Sequence, residues 1–191
     1  MTRETQVKPR NPVSTRDAIL ESATKLFSTK GFAGTSMSDL AEDLGLSKAA
    51  IYHHFESKGS ILQNLIESTQ EDIETLVSHT ESLPSNKVNP REILRTFAGV
   101  VFEHRKVIGL LLTEMPPEMK TEDLDRHQLM MRLQQLVGGH KPTAEMKIRA
   151  RAAVGIILTG IILPMYEQHH RNEEFNLDLL VKIASDALGV K

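Results

Sequence analysis

The sequence of 191 residues has no cysteine, no tryptophan and only two tyrosines. Without cysteine, disulfides and thiolate metal sites are excluded, which is typical of proteins in a reducing cytoplasm. No alternating apolar pattern of the kind that marks strands occurs outside segments with helical periodicity. The sequence therefore predicts an all-α, cytoplasmic protein.

Motifs for catalysis are also missing. The chain has no Gly-x-Ser-x-Gly elbow, no glycine-rich phosphate loop and no His-Glu-x-x-His motif. Adjacent histidines occur at His53-His54 and His169-His170, but neighbouring helical residues point in different directions, so neither pair chelates a metal on its own. We predict no enzyme activity, no cofactor and no metal site.

Long hydrophobic runs are absent as well. The longest, Ala152–Met165, is shorter than the roughly 20 apolar residues that a bilayer requires, and Arg149 and Arg151 adjoin it. The polar, basic residues 1–12 lack the apolar core of a signal peptide. We expect no membrane association.

The formal net charge is −2, so any binding to nucleic acid must depend on local positive charge. Residues 1–13 are predicted to be a flexible basic arm, in which Arg3, Lys8 and Arg10 outnumber Glu4, with Arg16 following closely. Such an arm is either a solvated tail or a segment that contacts phosphates or the minor groove.

The stretch after the arm, residues 14–60, predicts three short helices. Ser14 and Asp17 form a capping box before the first helix, and Ser36 and Ser47 are positioned to cap the next two. Gly45 marks the corner between the second and third helices. Ala41, Gly45 and Ile51 have the spacing of a helix-turn-helix, a motif that places a helix in the DNA major groove.

Residues 61–191 predict a larger helical domain. A long helix from Ser57-Lys58 almost to Pro84 joins it to the three-helix head. The next helix has an apolar face at Ile93, Phe97, Val100 and Val101, continued by Ile108–Leu112. Three more helices are predicted at Leu124–Val137, Thr143–His169 and Asn176–Leu188.

The last two of these helices are apolar over so much of their surface that one chain cannot cover them, so we predict a homodimer with a four-helix interface. The predicted interface residues are Ala152, Gly155, Thr159, Ile162, Leu177, Leu180, Val181, Ala184 and Leu188.

The segment from Thr15 to about Glu67, centred on GFAGTSMSDLAEDLGLSKAAIYHHFESKGSIL, resembles the DNA-binding head of TetR-type (TetR/AcrR-like) transcriptional regulators. The order G-F-x-x-T-S, A-x-x-L-G-L-S and I-Y-H-H-F-x-S-K carries the resemblance. It implies a homodimer that binds an operator in double-stranded DNA and releases it when a small apolar or amphipathic effector fills the C-terminal domain.

The resemblance also assigns roles to individual residues. Thr35 and Ser36 would meet phosphate, as would Lys58. Tyr52, His53 and His54 would hold the DNA backbone, with Arg16 included from the adjoining basic segment. Ser47, Lys48, Ala49 and Ala50 would lie at the groove floor, where Lys48 is the best candidate for a base edge because alanines cannot hydrogen-bond to bases.

A ligand pocket is predicted in the C-terminal domain from Phe97, Val101, His104, Leu111, Met115, Met130 and Leu133. His104 lies on an apolar stripe and is either a core histidine satisfied by a carbonyl or a polar anchor in the pocket. Two other functions remain open: an activator of transcription, and a helical dimer that acts as a protein-interaction adaptor without a small-molecule effector.

Overall fold

The computed structural model describes residues 14–114, 123–165 and 175–189. The predicted arm (1–13), Met115 of the predicted pocket and the pair His169-His170 lie outside the described residues. All regular elements within the described ranges are helical, which confirms the all-α prediction. The helices are α1 (Thr15–Lys30), α2 (Met37–Leu44), α3 (Lys48–His54), α4 (Lys58–Ser82), α5 (Pro90–Glu103), α6 (Arg105–Glu114), α7 (Asp123–Gly138), α8 (Ala144–Ile162) and α9 (Leu177–Leu188), with 3-10 turns at Ser85–Lys87 and Leu163–Met165.

The chain forms two compact units, Met1–Leu62 and Gln63–Lys191. Helix α4 contributes its first residues to the first unit and the remainder to the second.

Side-chain caps define the three helices of the first unit. The Ser14 hydroxyl accepts a hydrogen bond from the Asp17 N–H at 3.1 Å, and the Ser47 hydroxyl accepts one from the Ala50 N–H at 3.1 Å. At α2 the capping box is complete, because the Asp39 carboxylate also accepts from the Ser36 N–H at 2.9 Å. These caps satisfy N–H groups that a helix start leaves without a partner, so the predicted starts are confirmed.

The corner between α2 and α3 is made by Gly45, whose φ of 64° lies in the left-handed region. The following Leu46 N–H donates to the Ala41 carbonyl at 2.9 Å and closes the end of α2. Beneath this corner, the interior of the first unit is formed by fully buried side chains from all of its helices: Ile19, Ala23, Leu40, Ile51, Ile61 and Leu62.

The core of the second unit surrounds α8. This helix contacts α5, α7 and α9, and it buries Ala150, Ala153, Val154 and Ile157 among other residues. Fully burying one large aliphatic side chain stabilises a fold by about 1.5–3 kcal/mol, so α8 is a main source of the stability of this unit.

The sequence predicted that the apolar face of α5 would continue without a break into Ile108–Leu112, but the structure has a break between the two segments. Helix α5 ends at Glu103, His104 is its C-cap with its N–H bonded to the Val100 carbonyl at 3.0 Å, and α6 begins at Arg105. The His104 ring is held by side chains of α4, which fixes the chain direction at this junction.

Helix α8 was expected to reach His169, but its α-helical part ends at Ile162. The chain continues as a 3-10 turn over Leu163–Met165, which contains Pro164. Proline has no N–H and its ring clashes with the carbonyl four residues earlier, so the α-helical bonding pattern cannot pass through it.

The helical segment Ala144–Met165 is long and apolar enough to cross a membrane by length and composition. This corrects the expectation from the shorter run Ala152–Met165. The core helix of a soluble protein meets the same two criteria, and α8 packs against α5, α7 and α9 within its own unit.

The φ of Gly45 generates a stability prediction. Gly45→Ala should lower the free energy of unfolding by about 1–2 kcal/mol, because an L-residue with a Cβ is strained in the left-handed region. Apart from the glycine itself and its two chain neighbours, no atom lies within 4 Å of the position of the added Cβ, so conformation rather than a clash causes the loss. Urea unfolding measures it.

Gly45→Asn is the matched control, because asparagine tolerates the left-handed region better than alanine does. An alanine variant as stable as the wild type would contradict this account of the corner.

Candidate nucleic-acid interface and ligand cavity

The outer face of α3 presents four side chains from two adjacent helical rows. Lys48 and Tyr52 form one row and Ala49 and His53 the other, and all four are exposed. On the opposite side, Ile51 is fully buried and anchors α3 to the first unit. The structure thus brings Lys48 and Ala49, predicted for the groove floor, onto one surface with Tyr52 and His53, predicted for the DNA backbone. Tyr52 is 52% exposed.

The remaining predicted α3 residues lie at its ends or flanks. Ser47 is exposed and caps the helix, and Ala50 is half-buried. His54 is exposed at the last turn, where its ring meets that of His53 with 5.3 Å between centroids. Ser36 is exposed at the start of α2.

Thr35 needs a correction. Its side chain is 2% exposed, and its hydroxyl donates to the Gly31 carbonyl at 2.9 Å. A phosphate contact by this hydroxyl would require the bond to break and the side chain to leave the interior. We therefore remove the Thr35 side chain from the predicted phosphate contacts and retain Ser36.

Lys58 needs a second correction. Its Nζ donates to the Phe32 carbonyl at 2.7 Å and to the Thr35 carbonyl at 3.0 Å, and lies 4.5 Å from the centroid of the Phe32 ring. An ammonium has three donors, and these are directed towards the loop between α1 and α2. Lys58 is a structural cation that fixes this loop, which removes it from the predicted phosphate contacts.

The acids of α2 are paired with lysines of α1. Lys30 contacts Asp39 at 2.9 Å and Lys25 contacts Asp43 at 2.7 Å. Hydrogen bonds from Ser36 and Lys30 lower the pKa of Asp39, and those from Lys25 and Ser22 lower the pKa of Asp43. Both carboxylates therefore stay charged and paired at neutral pH.

This pairing leaves few cations for DNA. Of the positively charged side chains described in the first unit, Lys25 and Lys30 neutralise acids and Lys58 binds carbonyls. Lys48 is exposed on α3, and the Arg16 guanidinium lies 5.1 Å from the centroid of the Phe55 ring, beside the end of that helix.

The second unit contains a mostly apolar cavity of about 250 Å³. Its described walls come from α4, α5, α6, α7 and α8: Ile66, Thr69, Gln70, Ile73, Phe97, Val101, Ile108, Leu111, Leu112, Arg126, Leu129, Met130 and Leu158.

Four residues predicted for the pocket line this cavity: Phe97, Val101, Leu111 and Met130. Leu133 is instead fully buried in the core, away from the cavity wall. Arg126 was missed, although the spacing of Arg126, Leu129, Met130 and Leu133 placed it on the apolar stripe of α7.

His104 lies behind the cavity wall and does not form part of it. Its Nδ1 is 3.1 Å from the Thr69 hydroxyl, and its Nε2 is 2.7 Å from the Asp72 carboxylate. The expected carbonyl partner is thus replaced by a hydroxyl and a carboxylate. The ring ties the α5–α6 junction to α4 at Thr69, which does line the cavity.

The predicted dimer-interface residues fall into two groups. Ile162, Val181, Ala184 and Leu188 are buried in the core of the chain itself, so they are unavailable to a second copy. Ala152 and Thr159 are exposed on α8, while Gly155, Leu177 and Leu180 are half-buried.

Comparison with known proteins agrees with this architecture. A model of the bacterial regulatory proteins of the TetR family matches residues 19–65, which span α1 to α4. The chain thus contains a segment that matches the N-terminal domain of TetR-family regulators. A TerR/AcrR-family transcriptional regulator from Aquifex aeolicus has the same fold, with a TM-score of 0.72 and 24% identity over 92% of this chain and 98% of that one.

Two curated relatives are HTH-type transcriptional regulators. YerO from Bacillus subtilis is 29% identical over 85% of this chain and 58% of its own length. TtgR from Pseudomonas putida is 35% identical over 46% of this chain and 41% of its own length. The chain thus spans about half the length of these TetR-family relatives, and the similarity to TtgR involves less than half of this chain.

The hydrogen bonds of Lys58 lead to a prediction that distinguishes a structural role of this lysine from a role in phosphate contact. Lys58→Met should lower the free energy of unfolding by about 1–3 kcal/mol, because it leaves carbonyls without a charged donor. Lys48→Met should change it by no more than about 0.5 kcal/mol, because Lys48 is exposed.

Denaturant unfolding of the two variants makes the comparison. Equal stability of the Lys58→Met variant and the wild type would show that the hydrogen bonds of Lys58 are dispensable, and would return it to the candidates for phosphate contact.

Proposed function

We propose that this chain is a TetR-type dimeric DNA-binding transcriptional repressor that releases its operator when a small molecule occupies the cavity. The observation that carries the proposal is the outer face of α3, which is exposed and mostly polar while Ile51 and Phe55 anchor the helix in the interior of the first unit. A helix presented in this way fits the major groove.

In the proposed complex, Lys48 donates to a guanine edge, and Ala49 contacts a thymine methyl or allows close approach. Tyr52, His53, His54 and Ser36 contact phosphates. Direct base reading by α3 is sparse, so DNA shape and residues 1–13 supply further preference. Two half-sites should lie about one helical turn apart or a multiple of it.

The dimer surface that we propose combines outward faces of α8 and α9. On α8, Ile148, Ala152 and Thr159 are exposed at positions that share one helical face, and Leu163 in the following 3-10 turn is exposed as well. On α9, Leu179 and Ile183 are exposed one turn apart, and Ile183 retains 47% of its accessible surface. This surface replaces the four buried members of the earlier set.

Release by an effector requires the ligand to bind a DNA-incompetent state more tightly than the DNA-bound state. The cavity supports this proposal because Ile66, Thr69 and Ile73, which line it, belong to α4, the same continuous helix that begins at Lys58. A ligand that displaces this wall acts directly on the helix that enters the first unit.

One relative supports the proposal that the protein represses transcription and does not activate it. The negative regulator of the icaADBC biofilm operon from Staphylococcus aureus, IcaR, is 41% identical over 27% of this chain and 27% of its own length. Activation of transcription is the alternative function. We propose that the protein acts in the cytoplasm, without catalysis, cofactor or membrane contact.

Selection from a genomic fragment pool tests DNA binding without knowledge of the operator. The full chain should retain a reproducible set of fragments that share paired half-sites. If it retains no DNA and instead captures a protein through the exposed face of α3, the adaptor function is favoured.

Lys48→Met should lower the affinity for a selected fragment by roughly 5- to 150-fold, the range that corresponds to the loss of about 1–3 kcal/mol from one base contact. Fluorescence anisotropy at fixed salt measures the change. Lys87→Met is the matched control, because Lys87 is an exposed lysine in the second unit. Equal losses in the two variants would point to non-specific charge and contradict base reading by Lys48.

Ile183→Glu should convert the dimer into a folded monomer, because it places a carboxylate in the apolar surface between subunits. Sedimentation velocity reports the mass, and circular dichroism reports the helix content. Met131→Glu, at an exposed methionine of α7, is the matched control and should remain dimeric. A wild-type chain that is monomeric at all concentrations would exclude the proposed interface.

A further inference from the structure

The cavity of the second unit contains one feature that an apolar ligand would not require. Among the described residues that line it, Arg126 is the one with a formal charge. Arg126 is half-buried on α7, and its Nη1 atom is shielded from solvent. A guanidinium taken out of water carries a desolvation cost, which anionic partners offset.

The polar groups of the cavity wall differ in how much of their hydrogen-bonding capacity is already taken up by other protein groups. The Thr69 hydroxyl donates to the Leu65 carbonyl at 3.0 Å and lies 3.1 Å from His104 Nδ1. Its hydrogen-bonding capacity is therefore largely committed within the protein. Gln70 and Arg126 are the other polar wall residues, and a guanidinium has five donors, enough for a protein partner and a ligand together.

The charge of Arg126 selects among ligand classes. A cationic ligand in the cavity would meet a like charge in surroundings of low dielectric constant, which is unfavourable. A carboxylate matches the planar fork of an arginine and forms short, charge-assisted hydrogen bonds. The remaining wall, with Ile73, Phe97 and Val101, is suited to an unbranched or compact hydrocarbon body.

Among the described residues, the acidic side chains nearby line a different groove and not the cavity. Glu67, Glu71, Glu74 and Asp125 line a separate surface groove that shares Gln70 and Leu129 with the cavity. A cation is attracted to this groove and an anion is not. The separation of charge leaves the interior of the cavity as the position suited to an anionic head group.

The volume limits the size of the hydrocarbon body. An apolar cavity of about 150 Å³ in an unrelated protein accommodates benzene, with six carbons. By the same ratio, a cavity of about 250 Å³ holds roughly ten carbons.

We propose that the cavity binds a monocarboxylate with an apolar body of about ten carbons, and that Arg126 is the residue that recognises its head group. This inference rests on the proposed function only in identifying the ligand as the effector. The binding itself is a property of the cavity.

Isothermal titration calorimetry of the full chain, without DNA, tests the ligand class with three probes of equal chain length: decanoate, 1-decanol and decylammonium. Decanoate should bind at least tenfold more tightly than decanol, and decylammonium should bind most weakly. In a series of shorter carboxylates, affinity should rise about fourfold per methylene from hexanoate to decanoate, then level off at dodecanoate.

Arg126→Met removes the charge but keeps a long, flexible side chain. It should lower the affinity for decanoate by about 10- to 100-fold, the range for losing hydrogen bonds to a charged group, and leave decanol binding unchanged. Retained decanol binding also shows that the variant is folded. Arg91→Met, at an exposed arginine of α5, is the matched control and should bind all three probes like the wild type.

A variant that fills the cavity, Ile108→Phe, checks the location. It should weaken decanoate and decanol together, because Ile108 lines the apolar wall. The proposal is overturned if decanol binds as tightly as decanoate, if Arg126→Met weakens both probes equally, or if none of the three probes binds.

A second readout separates this inference from the proposed function. Decanoate should reduce the affinity of the wild-type chain, but not of the Arg126→Met variant, for a fragment from the genomic selection. Binding of decanoate by calorimetry without release of DNA would refute the effector mechanism and leave the ligand site in place.

Discussion

The second unit depends on one constraint, which is that α8 is apolar both on the side that packs inwards and on part of the side that remains exposed. Its inner side is covered by α5, α7 and α9, with Ala153 and Ile157 fully buried among them. The outward side, from Ile148 to Leu163, remains on the surface. Apolar surface of α8 must be removed from water. The surrounding helices do this on the inner side, and the proposed partner would do it on the outward side.

Much of the fold could be predicted because its signals are local. A hydroxyl cap, a glycine corner and an apolar stripe each depend on residues within one or two helical turns, so the limits of α1, α2 and α3 followed from Ser14, Gly45 and Ser47. Pro164 was also local and was overlooked. Its missing N–H ends the α-helical bonding of α8 near Ile162.

The sites were less predictable because they depend on which side of a helix meets which neighbour. The spacing of Val181, Ala184 and Leu188 indicates one buried face but cannot say whether its own chain or a partner covers it. The cavity is a gap between five helices, and no spacing within a single helix reveals it. Likewise, only the fold shows that Lys58 turns towards the carbonyls of Phe32 and Thr35.

The pairing of Lys25 and Lys30 with the acids of α2 has a consequence for how DNA binding by the first unit would respond to salt. Each phosphate neutralised by a protein cation contributes about 0.9 to the logarithmic salt dependence of DNA binding. With two such contacts, doubling the salt concentration lowers the affinity for DNA roughly 3.5-fold. With ten contacts, the same change lowers it about 500-fold. The described cations of the head would therefore give DNA binding only a shallow salt dependence, so a steep one measured for the full chain would have to come from cations elsewhere, such as Arg3, Lys8 and Arg10.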